Sequence, residues 1–168
     1  MDTGTTIVGI AIIISCAIPF IIMNRTRSKR EKQLLQMLCN LAETYSCNIS
    51  QHDHWNHSSI GIDKDSKKIF FIQNSINNRE SLHVDLTEME RCRIIETSRT
   101  VNGDKENTVV TDKLELVYTS KEKDKAEIVV PFYNVEYDNF SLILVLRLAE
   151  KWSEISNDNI VALKRNRK

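Results

Sequence analysis

The residues best equipped for chemistry lie between 47 and 57, where Cys47 precedes His52-Asp53-His54-Trp55-Asn56-His57. Thiolate, imidazole and carboxylate are zinc and copper ligands, which makes Cys47, His52, His54 and His57 the candidates for a metal site. Their spacing matches no established metal motif. An extended segment would put His52 and His54 on one face, and a helix would make His54 and His57 neighbours, but no single local structure gathers all four. The preferred reading is a polar loop between a helix and the first strand, with Trp55 tucked onto the core, and no cofactor is expected.

Two further groupings are weighed and set aside. Asp63-Lys64-Asp65-Ser66-Lys67-Lys68 begins like a calcium loop, yet Lys67 stands where a third oxygen ligand is needed and Lys68 where the turn glycine belongs, so it reads as a hairpin turn. Cys92 and His83 could serve nucleophilic catalysis, but nothing places them together or supplies an orienting third group; Cys92 reads as a small apolar residue in or beside a strand. Phosphate-loop, dinucleotide, zinc-protease and serine-hydrolase signatures are absent. No catalytic residue is expected.

Charge supplies the remaining candidates. The chain has 23 basic and 23 acidic residues, but both ends are basic: Arg25, Arg27, Lys29, Arg30 and Lys32 near the start, and Lys164, Arg165, Arg167 and Lys168 at the end. The body between is acidic, which argues against a nucleic-acid face. The first cluster suits an anionic membrane surface, at about 1 kcal/mol per Lys or Arg close to it.

The elements that would position these groups begin with an uncharged run from Thr3 to Met23. A helix of about 20 residues at ~1.5 Å per residue matches a ~30 Å hydrocarbon core, so the run is expected to be a transmembrane helix anchored in lipid. A cleaved signal peptide or a lipid-modified Cys16 fits less well, because no positive n-region precedes the run. The basic residues after Asn24 place the N-terminus outside and the C-terminus in the cytoplasm, at the plasma (inner) membrane, as a single-pass signal-anchor. The sequons at Asn24, Asn48, Asn56 and Asn139 are then silent, and the dispersed Cys39, Cys47 and Cys92 are read as reduced thiols.

Ser28 to Cys47 reads as a juxtamembrane helix, with Leu34, Leu38, Leu41 and Tyr45 recurring at helical spacing. Its apolar face could form a short coiled coil, but packing on its own domain is preferred. Short strands follow: a hairpin of Ile60–Ile62 with Lys68–Gln73, then Leu82–Leu86, Arg91–Val101, Thr108–Thr119 and Ala126–Tyr133, with Pro131 at an edge or bulge. A strongly apolar helix capped by Asp138 or Ser141 closes the chain and is expected to end at Ser156–Asn159.

The fold expected is therefore α+β: a transmembrane helix, a juxtamembrane helix, an antiparallel, strongly bent sheet or partial barrel of about six strands, and a closing C-terminal helix. The succession from 58 to 156 resembles the pleckstrin-homology-like (PH-like) superfold. In members that bind inositol phosphates the first hairpin carries basic residues. That resemblance brings Lys64, Lys67 and Lys68 to the place, although Asp63 and Asp65 oppose the charge and no matching arginine is evident. An open antiparallel sheet covered by two helices is the alternative. The expected organisation is 1–24 anchor, 25–57 basic segment with helix and polar loop, 58–156 PH-like domain and 157–168 basic tail.

Function is expected to be noncatalytic: a cytoplasmic binding or scaffolding domain that offers a sheet edge or groove to an unknown protein partner. The rivals are a metal protein or enzyme using the His-rich loop, and an accessory subunit of a membrane complex.

Overall fold

A computed structural model of the chain describes residues 29–74, 79–102, 107–136, 138 and 140–165. Within them a first helix, α1, spans residues 29–44. Seven strands follow: β1 (Gln51–Trp55), β2 (Ser58–Asp63), β3 (Lys68–Asn74), β4 (Arg79–Asp85), β5 (Met89–Asn102), β6 (Asn107–Ser120) and β7 (Ile128–Asn134). The second helix, α2, is Leu142–Arg165.

α1 ends because the backbone turns left-handed at Ser46, with φ 55°. The Cys47 N–H then reaches back to the Ala42 carbonyl at 3.0 Å, and the Ser46 N–H to Glu43 at 2.9 Å. This paired closure satisfies carbonyls that the last turn would leave bare.

The strands form two antiparallel sheets, β1-β2-β3-β4 and β5-β6-β7. The expected single bent sheet or partial barrel of about six PH-like strands is thereby corrected. There are seven strands among the described residues, and β4 and β5 do not pair. The reason lies at Asp85, whose carboxylate accepts the Thr87 N–H at 2.9 Å and its hydroxyl at 2.6 Å. The Met89 N–H meanwhile bonds the Leu86 carbonyl at 3.3 Å. This tight turn redirects the chain before β5 can lie beside β4, and β5 pairs instead with β6, of the same 14-residue length. The strand missed in sequence is β1, where His52 and Asp53 interrupt the apolar alternation that marks β2 and β3.

Both faces of the first sheet are covered, which explains why β2 is buried along its whole length. On one face α1 sets Leu34, Leu38 and Ala42 against Phe70 and Ile72. On the other, Ile60, Ile62, Ile69 and Phe71 join Leu114, Leu116 and Tyr118 of the second sheet and Val145, Ala149 and Trp152 of α2 in the main core. Gly61 makes the α1 contact possible: a Cβ there would lie 2.9 Å from Leu38 Cδ2, 2.9 Å from Ile49 Cγ2 and 3.3 Å from the Gln51 carbonyl oxygen. Gly61→Ala is expected to cost about 1–3 kcal/mol in denaturant unfolding, since a backbone atom is among those crowded. An unchanged midpoint would mean that α1 can ride outward freely.

α2 continues through Arg165, beyond the expected end at Ser156–Asn159. Its polar residues do not compete for the helix backbone from outside. Ser156 Oγ donates to the Trp152 carbonyl at 2.6 Å, and Asn159 Nδ2 to that of Ile155 at 2.8 Å. Ile160, read in sequence as tail, is buried.

The membrane placement is corrected as well. Among the described residues no helix is long and apolar enough to cross a membrane. The described part of α1 includes Lys29, Arg30, Glu31 and Lys32, and α2 carries Arg147, Glu150, Lys151, Glu154 and Asp158, a charge on nearly every turn. The run Thr3–Met23 on which the single-pass, signal-anchor and plasma-membrane readings rested lies outside the described residues. The 29–44 helix is accordingly defined by the sheet it covers, and the juxtamembrane reading is set aside.

Candidate functional site

The His-rich segment is dispersed by the strand it forms. On β1 the side chains alternate: His52 and His54 are exposed, whereas Asp53 is half-buried and Trp55 buried. His54 Nε2 lies 3.2 Å from Glu31 Oε1 of α1. Asp53 points the other way and accepts Lys151 Nζ at 2.6 Å and Trp152 Nε1 at 2.9 Å, tying β1 to α2. Trp55 Nε1 donates to the Phe132 carbonyl at 2.8 Å, and its ring stacks on Phe132 at 4.5 Å. Cys47 is buried beneath α1, its thiol 3.3 Å from the Tyr45 carbonyl oxygen. His57 follows the left-handed turn at Asn56, φ 46°, and its carbonyl accepts the Asn74 N–H. Cys47, His52, His54 and His57 are thus not brought together, and the described residues hold no group of three or more His, Cys, Asp or Glu side chains able to share a metal ion.

Cys92 and His83 are likewise apart. The His83 ring, on β4, lies 4.1 Å from that of Tyr45 and is tilted to it by 34°. Cys92 faces the interior beside Tyr118 and Ser156, and burial pushes its thiol up to about 11, against hydrogen bonds from Tyr118, Ser153 and Ser156 that lower it. Burial also raises the Tyr118 phenol well above its usual range. A thiol so held is a poor nucleophile at neutral pH.

The Asp63 loop is an Asx-type hairpin turn. Its carboxylate accepts N–H groups from Asn48 at 2.8 Å, Asp65 at 2.8 Å and Ser66 at 3.0 Å, with the Ser66 hydroxyl at 3.1 Å. Burial alone would raise its pKa, but the donors, led by Ser66, prevail and lower it from 3.8 to about 2. A depressed carboxyl stabilises the fold above its unfolded pKa, and that contribution disappears as pH falls through the folded value. Stability is therefore expected to decline between about pH 4 and pH 2, more steeply in the native chain than in Asp63→Asn. At pH 7 the Asp63→Ala substitution is expected to cost about 1–3 kcal/mol, because three backbone donors lose their acceptor. Equal acid profiles for the native and Asp63→Asn chains would refute the assignment. Lys67, with φ 56°, bonds Asn159 of α2 at 3.0 Å, and Lys68 sits 5.9 Å over the Tyr45 ring.

Of the basic residues near the start, Lys29, Arg30 and Lys32 are exposed on α1, and Arg25 and Arg27 lie outside the described residues.

The feature that sequence reasoning missed is the outer edge of β5. In the order β5-β6-β7, β5 is an edge strand, and at 14 residues it is twice as long as β4 or β7 and nearly three times as long as β1. Asn157 of α2 covers one point of it: its side chain accepts the Cys92 N–H and donates to the Cys92 carbonyl, both at 2.9 Å. Lys164 donates to the Glu90 carbonyl at 3.2 Å. Because Cys92 presents its backbone outward, the two-residue period turns Ile94, Glu96, Ser98 and Thr100 the same way. Among the described residues nothing bonds those groups. Every side chain from Glu96 to Val101 is exposed.

The adjoining strand reinforces this. β7 pairs with β6 only from Lys113 to Tyr118, so beyond Asp112 the sheet narrows to a two-stranded ribbon, with Val109 69% exposed. On the outer face the ribbon base carries Arg93, bound to Glu127 at 2.7 Å and to the Thr119 hydroxyl at 3.0 Å. The Glu127 carboxyl is lowered first by the Thr119 hydroxyl and then, against some burial, by Arg93 and Arg91. Arg99 pairs with Asp112 at 3.1 Å. The alternating Ile-x-Thr-x-Arg-x-Val of 95–101 was available in sequence as a strand, but nothing there tells an edge from a centre.

No protein-family model matches the chain, and no curated protein or solved structure matches it either.

Proposed function

We propose that this chain is a noncatalytic binding module whose partner adds a strand to β5. The observation that supports this reading is the run of outward backbone groups from Ile94 to Thr100, without a partner among the described residues, on an edge strand of 14 residues. Such edges are templates for another chain unless they are shortened, covered or charged; this one is long, and its charges, Arg93, Glu96 and Arg99, restrict which strand can join. Here α2 covers the proximal end through Asn157 and leaves the distal half bare. Main-chain hydrogen bonds then supply affinity, and alternate side chains supply selectivity.

Proline scanning tests it, because proline deletes a single N–H. Ser98→Pro removes an outward donor and spares the β5–β6 ladder, whereas Thr97→Pro removes a ladder bond. Peptides selected from a random octapeptide display library against the full chain are expected to slow amide exchange at Ile94–Thr100. They are also expected to lose at least tenfold in affinity against Ser98→Pro and little against Ser98→Ala. Selected peptides indifferent to Ser98→Pro, or a selection that yields none, would overturn the reading.

A further inference from the structure

The side chains along β5 say what kind of strand would fit. Arg91, Arg93 and Arg99 share the outer face, separated by Ile95 and Thr97, and no acidic residue of β5 itself stands on that face. Its acids, Glu90 and Glu96, do not interrupt this row: Glu90 is the extra residue at the bulge between Met89 and Arg91, and Glu96 accepts the Ser98 and Thr111 hydroxyls on the opposite face. Glu127 and Asp112 engage Arg93 and Arg99, but from the side of the sheet away from the open edge, on β7's approach and on β6. Among the described residues Arg91 is exposed and makes no hydrogen bond, though its charge acts on Glu127, and the Arg99 side chain is 63% exposed. Lys164 and Arg165 extend the positive field at the proximal end.

Resting on the strand addition above, we infer that the incoming strand is an extended segment with acidic side chains at alternate positions, facing the arginine row. A residue opposite Arg93 or Arg99 lies about 5 Å away across the new ladder, where opposite charge is favourable and like charge is not; Arg91 lies beyond the point that Asn157 covers and adds only to the positive field. The same rule disfavours two registers of a second copy of this chain. Two β5 edges paired antiparallel about Ile95 set Arg91 of one copy opposite Arg99 of the other, and pairing about Glu96 sets Arg93 opposite Arg99. On the other face Glu96 calls for a neutral or basic neighbour, so the acids belong to one face only.

Three labelled, acetylated octapeptides test this by fluorescence anisotropy with the full chain: glutamate, glutamine or lysine alternating with threonine. The glutamate peptide is expected to bind about tenfold tighter than the glutamine peptide, from the sum of ordinary cross-strand charge pairs, and the lysine peptide more weakly still. Raising salt to about 0.5 M should narrow the gap, and Arg91→Glu with Arg99→Glu should reverse the order. Equal binding of the glutamate and glutamine peptides, still lost in Ser98→Pro, would overturn the acidic preference and leave strand addition standing. So would a preference for lysine. No binding by any of the three would overturn both, and a concentration-dependent dimer lost in Ser98→Pro would replace the acidic segment by a second copy.

Discussion

Trp152→Ala is expected to lower the unfolding free energy by about 3–5 kcal/mol, read from the urea midpoint of the full chain. The indole is fully buried on α2, where both sheets meet the helix, and it is among the largest side chains without solvent contact. Truncation leaves a cavity that residues from three layers would have to collapse together to fill. It also deprives Asp53 of the Nε1–H donor at 2.9 Å, leaving Lys151 as the partner of that carboxylate. Domains are stable by only about 5–15 kcal/mol, so the alanine variant could fall below the folding threshold. Trp152→Phe separates the effects: it keeps most of the volume, loses the hydrogen bond and is expected to cost about 1–3 kcal/mol. An alanine variant within 1 kcal/mol of the native chain would refute the burial of Trp152 in the core that both sheets share.

The second large effect belongs to the other side of the first sheet. Phe70→Ala is expected to cost about 3–5 kcal/mol as well, but with a different signature. Phe70 is fully buried between β3 and α1, in a cluster with Leu34, Leu38, Ala42 and Ile72 that is separate from the main core. Loss of its ring removes what holds α1 down, while the main core keeps Phe71, Ile69 and Ile62. Amide exchange over 29–44 should therefore accelerate ahead of β2, β3 and β6, as expected of a layer that opens on its own. If the α1 amides exchange in step with those strands, the two clusters form one cooperative unit and the prediction fails.

These two variants bear on what could be read in advance. The stripe Leu34, Leu38, Leu41 anticipated α1 and its burial against its own domain, because helical periodicity is local and survives any tertiary arrangement. The hairpin at Asp63 was legible for a similar reason: an Asx turn is made by residues within three positions of one another. The fate of His52, His54, His57 and Cys47 was not. Whether those ligand-capable groups converge depends on β1 pairing with β2, which sends His54 toward Glu31 and Asp53 toward Lys151, 98 residues away. The end of α2 was misread because Ser156, Asn157 and Asn159 look like breakers until the partners that absorb them are known, one of which is the backbone of Cys92.

Local chemistry alone determined most of the β-strands, both helices' apolar faces and the turn at Asp63. Each rests on contacts a few residues apart, and these are encoded in spacing. Tertiary structure decided the rest: two sheets in place of one, and histidines scattered over a strand. It also left the distal part of the β5 edge without a partner among the described residues. A strand's membership of a sheet's centre or margin is settled by which distant strand arrives beside it, and backbone N–H and C=O groups carry no mark of that in the sequence.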